Sequence, residues 1–263
     1  MRMFGRFFGK KKRQGPDPIL SMPLLGSSAG FEAQRIADTV KELFPEAGVV
    51  VESDDGDNFA LTINESPVFA KLFNEVIPGD EIDTSAAVSV SWPRDRAVEY
   101  TAHVVLVAMN PSKIEGAKAA TREAAAMMKA CNAAGWYVGD ATAVHEPQFV
   151  LEVASHLDED DGTIPLVKLW VNVIMTRDEK GTFSASTLGM CTFGHREFEI
   201  VGSRAQPMYL REWLGDSAVY VLKSGPVLKH GQTFRRSADE KWPIEVGTSK
   251  LGKEGTVIRL GVP

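Results

Sequence analysis

The segment from Tyr100 to Ala134 constrains the fold more than any other part of the chain. Residues 100–109, YTAHVVLVAM, form a β-rich apolar run, the pattern of a strand buried at the centre of a sheet. Pro111 then opens an Ala-rich stretch predicted as one helix reaching about Ala134, with Gly135 as its stop. A buried strand followed by so long a helix calls for helices layered on a sheet.

The flanking patterns agree with that layering. Ile19 to Leu25 reads as a strand, and Phe31 to Phe44 as a helix with Phe31, Ile36, Val40 and Leu43 on one face, ended by Pro45. Val49 to Glu52 and Phe59 to Ile63 flank Ser-Asp-Asp-Gly-Asp-Asn, a hairpin signal, and Val68 to Phe73 is a further apolar segment. Trp136 to Gly139 reads as a strand and Glu146 to His156 as a helix. The acidic loop DEDDG at 158–162 then marks an internal boundary, after which strands dominate: from Ile164, in FSASTLGMCTF, in EFEIVGS, and at Ala218 to Leu222, Pro243 to Val246 and Thr256 to Leu260. One helix intervenes near Gln206 to Leu214. The fold class expected is α+β, as two α/β-sandwich-like halves with mainly antiparallel sheets and helices packed on one face. Its parts are a basic arm (1–18), an N-terminal domain (19–157) and a C-terminal domain (163–263).

A chain of 263 residues sits where single cores begin to split, which agrees with two halves. No apolar run approaches the roughly 18 to 20 residues that span a bilayer, and the start lacks an apolar stretch of signal-peptide length, so a cytoplasmic location is expected. Cys131 and Cys191 are too few for a disulfide framework and read as free thiols. The net charge of -6 hides an asymmetry: six of the 29 basic residues lie among positions 1 to 13 without an acid, leaving 23 against 35 acidic residues and a body of -12. Such a field repels nucleic acid and attracts a basic protein partner. The arm itself interleaves Phe4, Phe7 and Phe8 with cations including Lys10, Lys11, Lys12 and Arg13. It is either a solvated tail or an anchor to a partner or, weakly, to a membrane surface.

Motifs for chemistry are sparse. The loop Gly26 to Gly30 (GSSAG) precedes a helix but lacks the phosphate-binding patterns, and reads as a helix entry with Ser as cap. Of the five histidines only His195 has a cysteine at ligand spacing, Cys191, with no CxxC or HExxH beside it, and His103 reads as a hydrogen-bonded core residue. No catalytic residue, metal site or cofactor is therefore assigned. Glu197 and Glu199 alternate with Phe198 and Ile200, which puts both carboxylates on one face of a strand. Pointing in parallel about 7 Å apart, they suit a solvated or partner-facing surface better than acid-base work. His195, Glu197 and Glu199 are the expected partner-binding residues.

The strings LWVNVIM, STLGMCTFGHREFEI, YVLKSGPVLKHGQTF and PIEV together resemble the bacterial domain of unknown function 4261 over roughly the last 95 residues. Thr187, Gly189, Phe193, Gly194, Glu197, Glu199 and Ile200 match its Thr-x-Gly-Leu-x-x-Phe-Gly motif and the Glu-Leu-Glu-Ile after it, with weaker similarity upstream through Trp92 and His103. Met190 replaces the usual Leu, and His230 to Thr233 (HGQT) replaces an acidic turn, which removes the basis for cation binding there. The resemblance implies no reaction and no cofactor. The chain is also faintly similar to suppressor-of-fused-like immunity proteins, which implies a soluble binding protein. The function expected is a non-catalytic protein-binding protein, an immunity protein or adaptor of a bacterial toxin or secretion system. An enzyme with a cryptic site for a small molecule, using Glu197, Glu199, His195 and Cys191, and a peripheral membrane protein are the alternatives.

Overall fold

Residues 17–235 and 240–262 are described by the structure, a computed structural model. The chain enters through β1 (Ile19–Leu25) and α1 (Ala33–Leu43), then forms the meander β2 (Val49–Asp54), β3 (Asn58–Ile63) and β4 (Ser66–Phe73). A helix that the sequence did not announce follows, α2 (Glu81–Val88), and then β5 (Ala102–Ala108). Next come α3 (Lys113–Ala130), β6 (Ala133–Val138), a short β7 (Ala143–His145) and α4 (Pro147–Ala154). After the acidic loop lie α5 (Thr163–Trp170), β8 (Asn172–Arg177), β9 (Phe183–Leu188) and β10 (Phe198–Ser203). The long α6 (Pro207–Ser224), β11 (Thr233–Arg235), β12 (Lys241–Thr248) and β13 (Thr256–Leu260) complete the described chain.

The strands form two sheets that divide at the acidic loop. The first has the order β2-β3-β4-β5-β1-β6-β7, with every described pairing antiparallel and the apolar run of β5 near its centre. The second has the order β11-β12-β13-β10-β9-β8, antiparallel except where β13 lies parallel to β10. The α+β class is therefore what the chain adopts. Both halves nevertheless share one continuous buried core. At their junction the Trp136 and Trp170 rings meet edge to face at 5.3 Å, and the Trp170 indole donates to Thr121 Oγ1 at 2.8 Å. The two rings bury large apolar areas against each other, and Trp170 does so with its N–H satisfied, which makes this contact a strong weld between the halves.

Several expectations are corrected. The Ala-rich helix ends at Ala130, because Asn132 adopts a left-handed turn (φ 48) and the chain reverses into β6. Gly135 thus lies inside a strand, where a Cβ would stand 3.1 Å from the Trp92 ring. Residues 163–170 are helical rather than extended: Gly162, at φ 70, turns the chain into α5, whose Leu166, Leu169 and Trp170 share a buried stripe. Ala218 to Leu222 belongs to α6, whose buried Leu210, Trp213, Leu214, Ser217, Ala218, Val221 and Leu222 follow helical spacing across the second sheet. The α1 entry has Glu32, not a serine, at the N-cap position; Ser27 instead accepts from the Ala29 N–H at 3.2 Å.

Candidate functional site

The most distinctive sequence, 187–200, makes a turn whose side chains are spent on its own geometry. After β9 the chain bends at Gly189 (φ 110), forms a 3-10 turn over Met190–Phe193 and bends again at Gly194 (φ 76). A Cβ on Gly189 would lie 2.0 Å from the Trp170 carbonyl oxygen, so only glycine fits. Across the turn, the Glu197 carboxylate accepts from Thr187 Oγ1 at 2.6 Å, from the Gly189 N–H at 3.0 Å and from the Cys191 N–H at 3.3 Å. Thr187 Oγ1 in turn accepts from the Phe198 N–H at 2.8 Å. Glu197 is half-buried and serves as a clasp.

Glu199 is fully buried, which corrects the expectation of a solvated carboxylate face. It accepts from Arg259 Nε at 2.8 Å, from Ser249 Oγ at 2.8 Å and from the Lys250 N–H at 3.1 Å. Arg259 pairs also with Glu245 at 2.7 Å and donates to the Thr248 carbonyl at 2.8 Å. The cause is non-local: β10 is an interior strand, and the segment after β12 folds across its outer face. Lys253 from that segment donates to the Thr187 carbonyl; burial lowers its pKa, against the opposing pull of Glu197 and Glu199. Phe198 and Ile200 are buried on the other face, as period two requires.

Cys191 and His195 flank the same turn. Burial of the thiol, with Asp140 and Glu197 nearby, pushes the Cys191 pKa up to about 12, so it carries no thiolate at neutral pH although the residue is exposed. His195 is half-buried, its pKa is lowered by burial, and its Nδ1 has no hydrogen-bond partner among the described residues. Thr192 ties the turn to the first half by donating to Asp140 at 2.9 Å. The structure thus brings His195, Glu197 and Glu199 to one region but turns the two carboxylates inward. Among the described residues no group of three or more His, Cys, Asp or Glu could hold a metal ion.

A second polar pair lies at the junction of the halves. His145 Nε2 is 2.7 Å from the Leu169 carbonyl and Nδ1 is 2.6 Å from Ser91 Oγ. A carbonyl only accepts, so Nε2 carries the proton and Nδ1 accepts from the Ser91 hydroxyl. The contact has the connectivity of a serine and its base, yet burial lowers the His145 pKa to about 4, too weak for a general base at neutral pH. It holds the segment after α2 against α5. His103 is buried, with Nδ1 2.8 Å from the Glu75 carbonyl, as a core histidine should be.

An apolar surface lies on the first sheet. Helices α1 and α3 cover one face, and α2 with the segment up to Tyr100 covers part of the other, over Met22, Leu24 and Tyr137. Among the described residues no helix or loop packs over the rest of that second face. Register places Val50 beside Thr62, Thr62 beside Pro67, Phe69 beside Val107, and Val107 beside Leu20, all on one side. Val50 is 55% and Phe69 49% exposed, and the other apolar members are partly exposed. Residues 49–80 around it contain seven acids, all exposed, and one base, Lys71. The sequence signal was present in SPVFAKLF, where apolar side chains occupy both faces of β4. Two open clefts adjoin the same half: one of about 630 Å³ beside Ile77, Asp83 and Tyr100, and one of about 900 Å³ beside Trp92, Arg96 and Glu146. In the latter, Arg96 pairs with Glu146 at 2.5 Å and lies over the Trp92 ring, so its charge is already engaged.

Phe4, Phe7, Phe8, Lys10, Lys11, Lys12 and Arg13 lie outside the described residues. No helix among the described residues is long and apolar enough to cross a membrane. No curated protein and no solved structure matches the chain, so the likeness to suppressor-of-fused-like immunity proteins has no support from them. Trp92 and His103 fall outside the one matched stretch. Residues 186–261, which hold the glycine-flanked turn, its Glu197 clasp and the buried Glu199–Arg259 pair, match the family model described as Domain of unknown function (DUF4261).

Proposed function

We propose that the chain is a non-catalytic protein-binding protein that engages its partner through the bare face of the first sheet. The observation that carries this reading is the apolar strip Val50, Phe69, Val107 and Leu20, left open among the described residues, on strands whose stretch 49–80 carries seven exposed acids. Contiguous apolar surface with a polar rim is the usual mark of an interaction site, and an acidic rim selects a basic partner and speeds its encounter. The carboxylates of Glu197, a clasp across the turn, and of Glu199, buried in β10, are taken up by the fold, which moves the proposed recognition surface from the second half to the first. An immunity or adaptor role in a toxin or secretion system is the particular form of this reading that the sequence suggests.

A photoreactive amino acid in place of Val50, irradiated in the cells that make the protein, should cross-link to another polypeptide. The same group in place of the exposed Lys241 on the second sheet should not. Cross-linking at neither position, or equally at both, would overturn the assignment of this face.

A further inference from the structure

We propose that the bare face of the first sheet is occupied, in the absence of a partner, by the chain's own aromatic-basic segment, residues 4–13, so that the segment guards the site. This rests on the protein-binding reading and names the chemistry of what binds there. The strip offers Val50, Phe69, Val107 and Leu20 as apolar ground, within a stretch of seven acids and one base. Residues 1–13 supply the complement: Phe4, Phe7 and Phe8 among six cations and no acid. Phenylalanines on the strip with cations against the rim would satisfy both at once, as neither a purely apolar nor a purely basic segment would.

Connectivity permits it. Leu20, one residue into β1, is itself part of the strip, so the chain ahead of it starts beside the surface to be covered. Phe8 precedes Ile19 by eleven residues, which span up to about 36 Å when extended. From β1 to β2 is four strand spacings, about 19 Å. A tethered segment acts at a high effective concentration, so modest intrinsic affinity suffices, and a basic partner displaces it only by binding more tightly.

The test uses the purified full chain with p-benzoylphenylalanine in place of Phe69, as an equimolar mixture of ordinary and 15N-labelled molecules. Irradiation and digestion should give cross-links from position 69 to peptides from residues 1–13, joining peptides of the same isotope. A chain lacking residues 1–16 should bind a synthetic peptide of that sequence, with affinity falling at least tenfold between 50 and 300 mM salt and at least tenfold on Phe69→Glu. Cross-links only between differently labelled molecules would mean that a second copy covers the face, and would overturn the proposal. So would peptide binding indifferent to Phe69→Glu, or binding to phosphatidylserine vesicles with none to the truncated chain. The protein-binding reading is judged separately, by the Val50 cross-link in cells, and survives if only the guarding segment fails.

Discussion

β4 and β10 each carry a side chain of the unexpected kind on one face, an apolar Phe69 in β4 and a charged Glu199 in β10, and the protein treats the two in opposite ways. β10 hides its charge: Glu199 is fully buried against Arg259. β4 shows its apolar side chain: Phe69 is 49% exposed. Alternation fixes which residues share a face, but whether that face meets water depends on what the rest of the chain lays over it. In the second half the segment carrying Ser249, Lys250 and Lys253 is laid over the polar face. In the first half α2 stops short of the apolar one.

The contrast is sharpest at Glu199. Glu199→Ala leaves the Arg259 guanidinium buried with, among the described residues, the exposed Glu245 as its carboxylate partner, and is expected to cost about 3–5 kcal/mol in urea unfolding. A loss under about 1 kcal/mol would show that the pair is solvated after all. Glu197→Lys with Glu199→Lys should unfold the chain, the reverse of what a solvated strand face implies.

The junction between the two regions should show itself in acid. The folded His145 pKa of about 4 lies below its ordinary 6.5, so the unfolded chain takes up the proton more readily in that interval. Stability from this residue is fully present above pH 6.5 and is lost as pH falls towards 4, by up to roughly 3 kcal/mol. His145→Gln should flatten that part of a stability-versus-pH curve; an unchanged slope would place the acid sensitivity elsewhere.

Glu123 in α3 is a smaller effect of opposite sign. Neither carboxylate oxygen has a partner among the described residues, and burial raises its pKa well above 4.5. Its contribution to stability is fully present below pH 4.5 and is lost as pH rises towards the folded pKa. Glu123→Met should therefore stabilise by about 1–3 kcal/mol at pH 8 and by less at pH 5, read as thermal midpoints. Equal gains at both pH values would mean that the folded pKa is not raised and that the carboxyl is ionised in both states across the range.

The smallest expected effect on stability is the one that matters most for binding. Phe69→Glu should change unfolding free energy by no more than about 0.5 kcal/mol, since the side chain is already half in water. A cost of several kcal/mol would make the strip part of the core and remove it as a docking surface.

Much of this was legible beforehand. β1 and β13 fall at their expected limits, the apolar run of 100–109 does sit near a sheet centre, and the match over 186–261 includes the motif picked out around Gly189. What escaped was set by distant parts of the chain. IPLVKLW and SAVYVLK have strand-like composition but lie in α5 and α6, because tertiary packing overrode local preference. α2 escaped because it is short and only weakly apolar. At the site, the sequence placed Glu197 and Glu199 side by side but could not reveal the cover from residues 249–253, some fifty residues later.

The parallel pair of β13 with β10 has a consequence during synthesis. β13 lies between β12 and β10 in the second sheet, although among that sheet's described strands it comes last in chain order. Until about Leu260 has emerged, β10 and β12 are both open edges, Glu199 waits without its arginine, and strand pairing with neighbouring nascent chains competes with completion of the sheet. The second sheet therefore assembles after translation of its final strand, and chains released just before β13 are the ones a cell's chaperones and proteases must intercept.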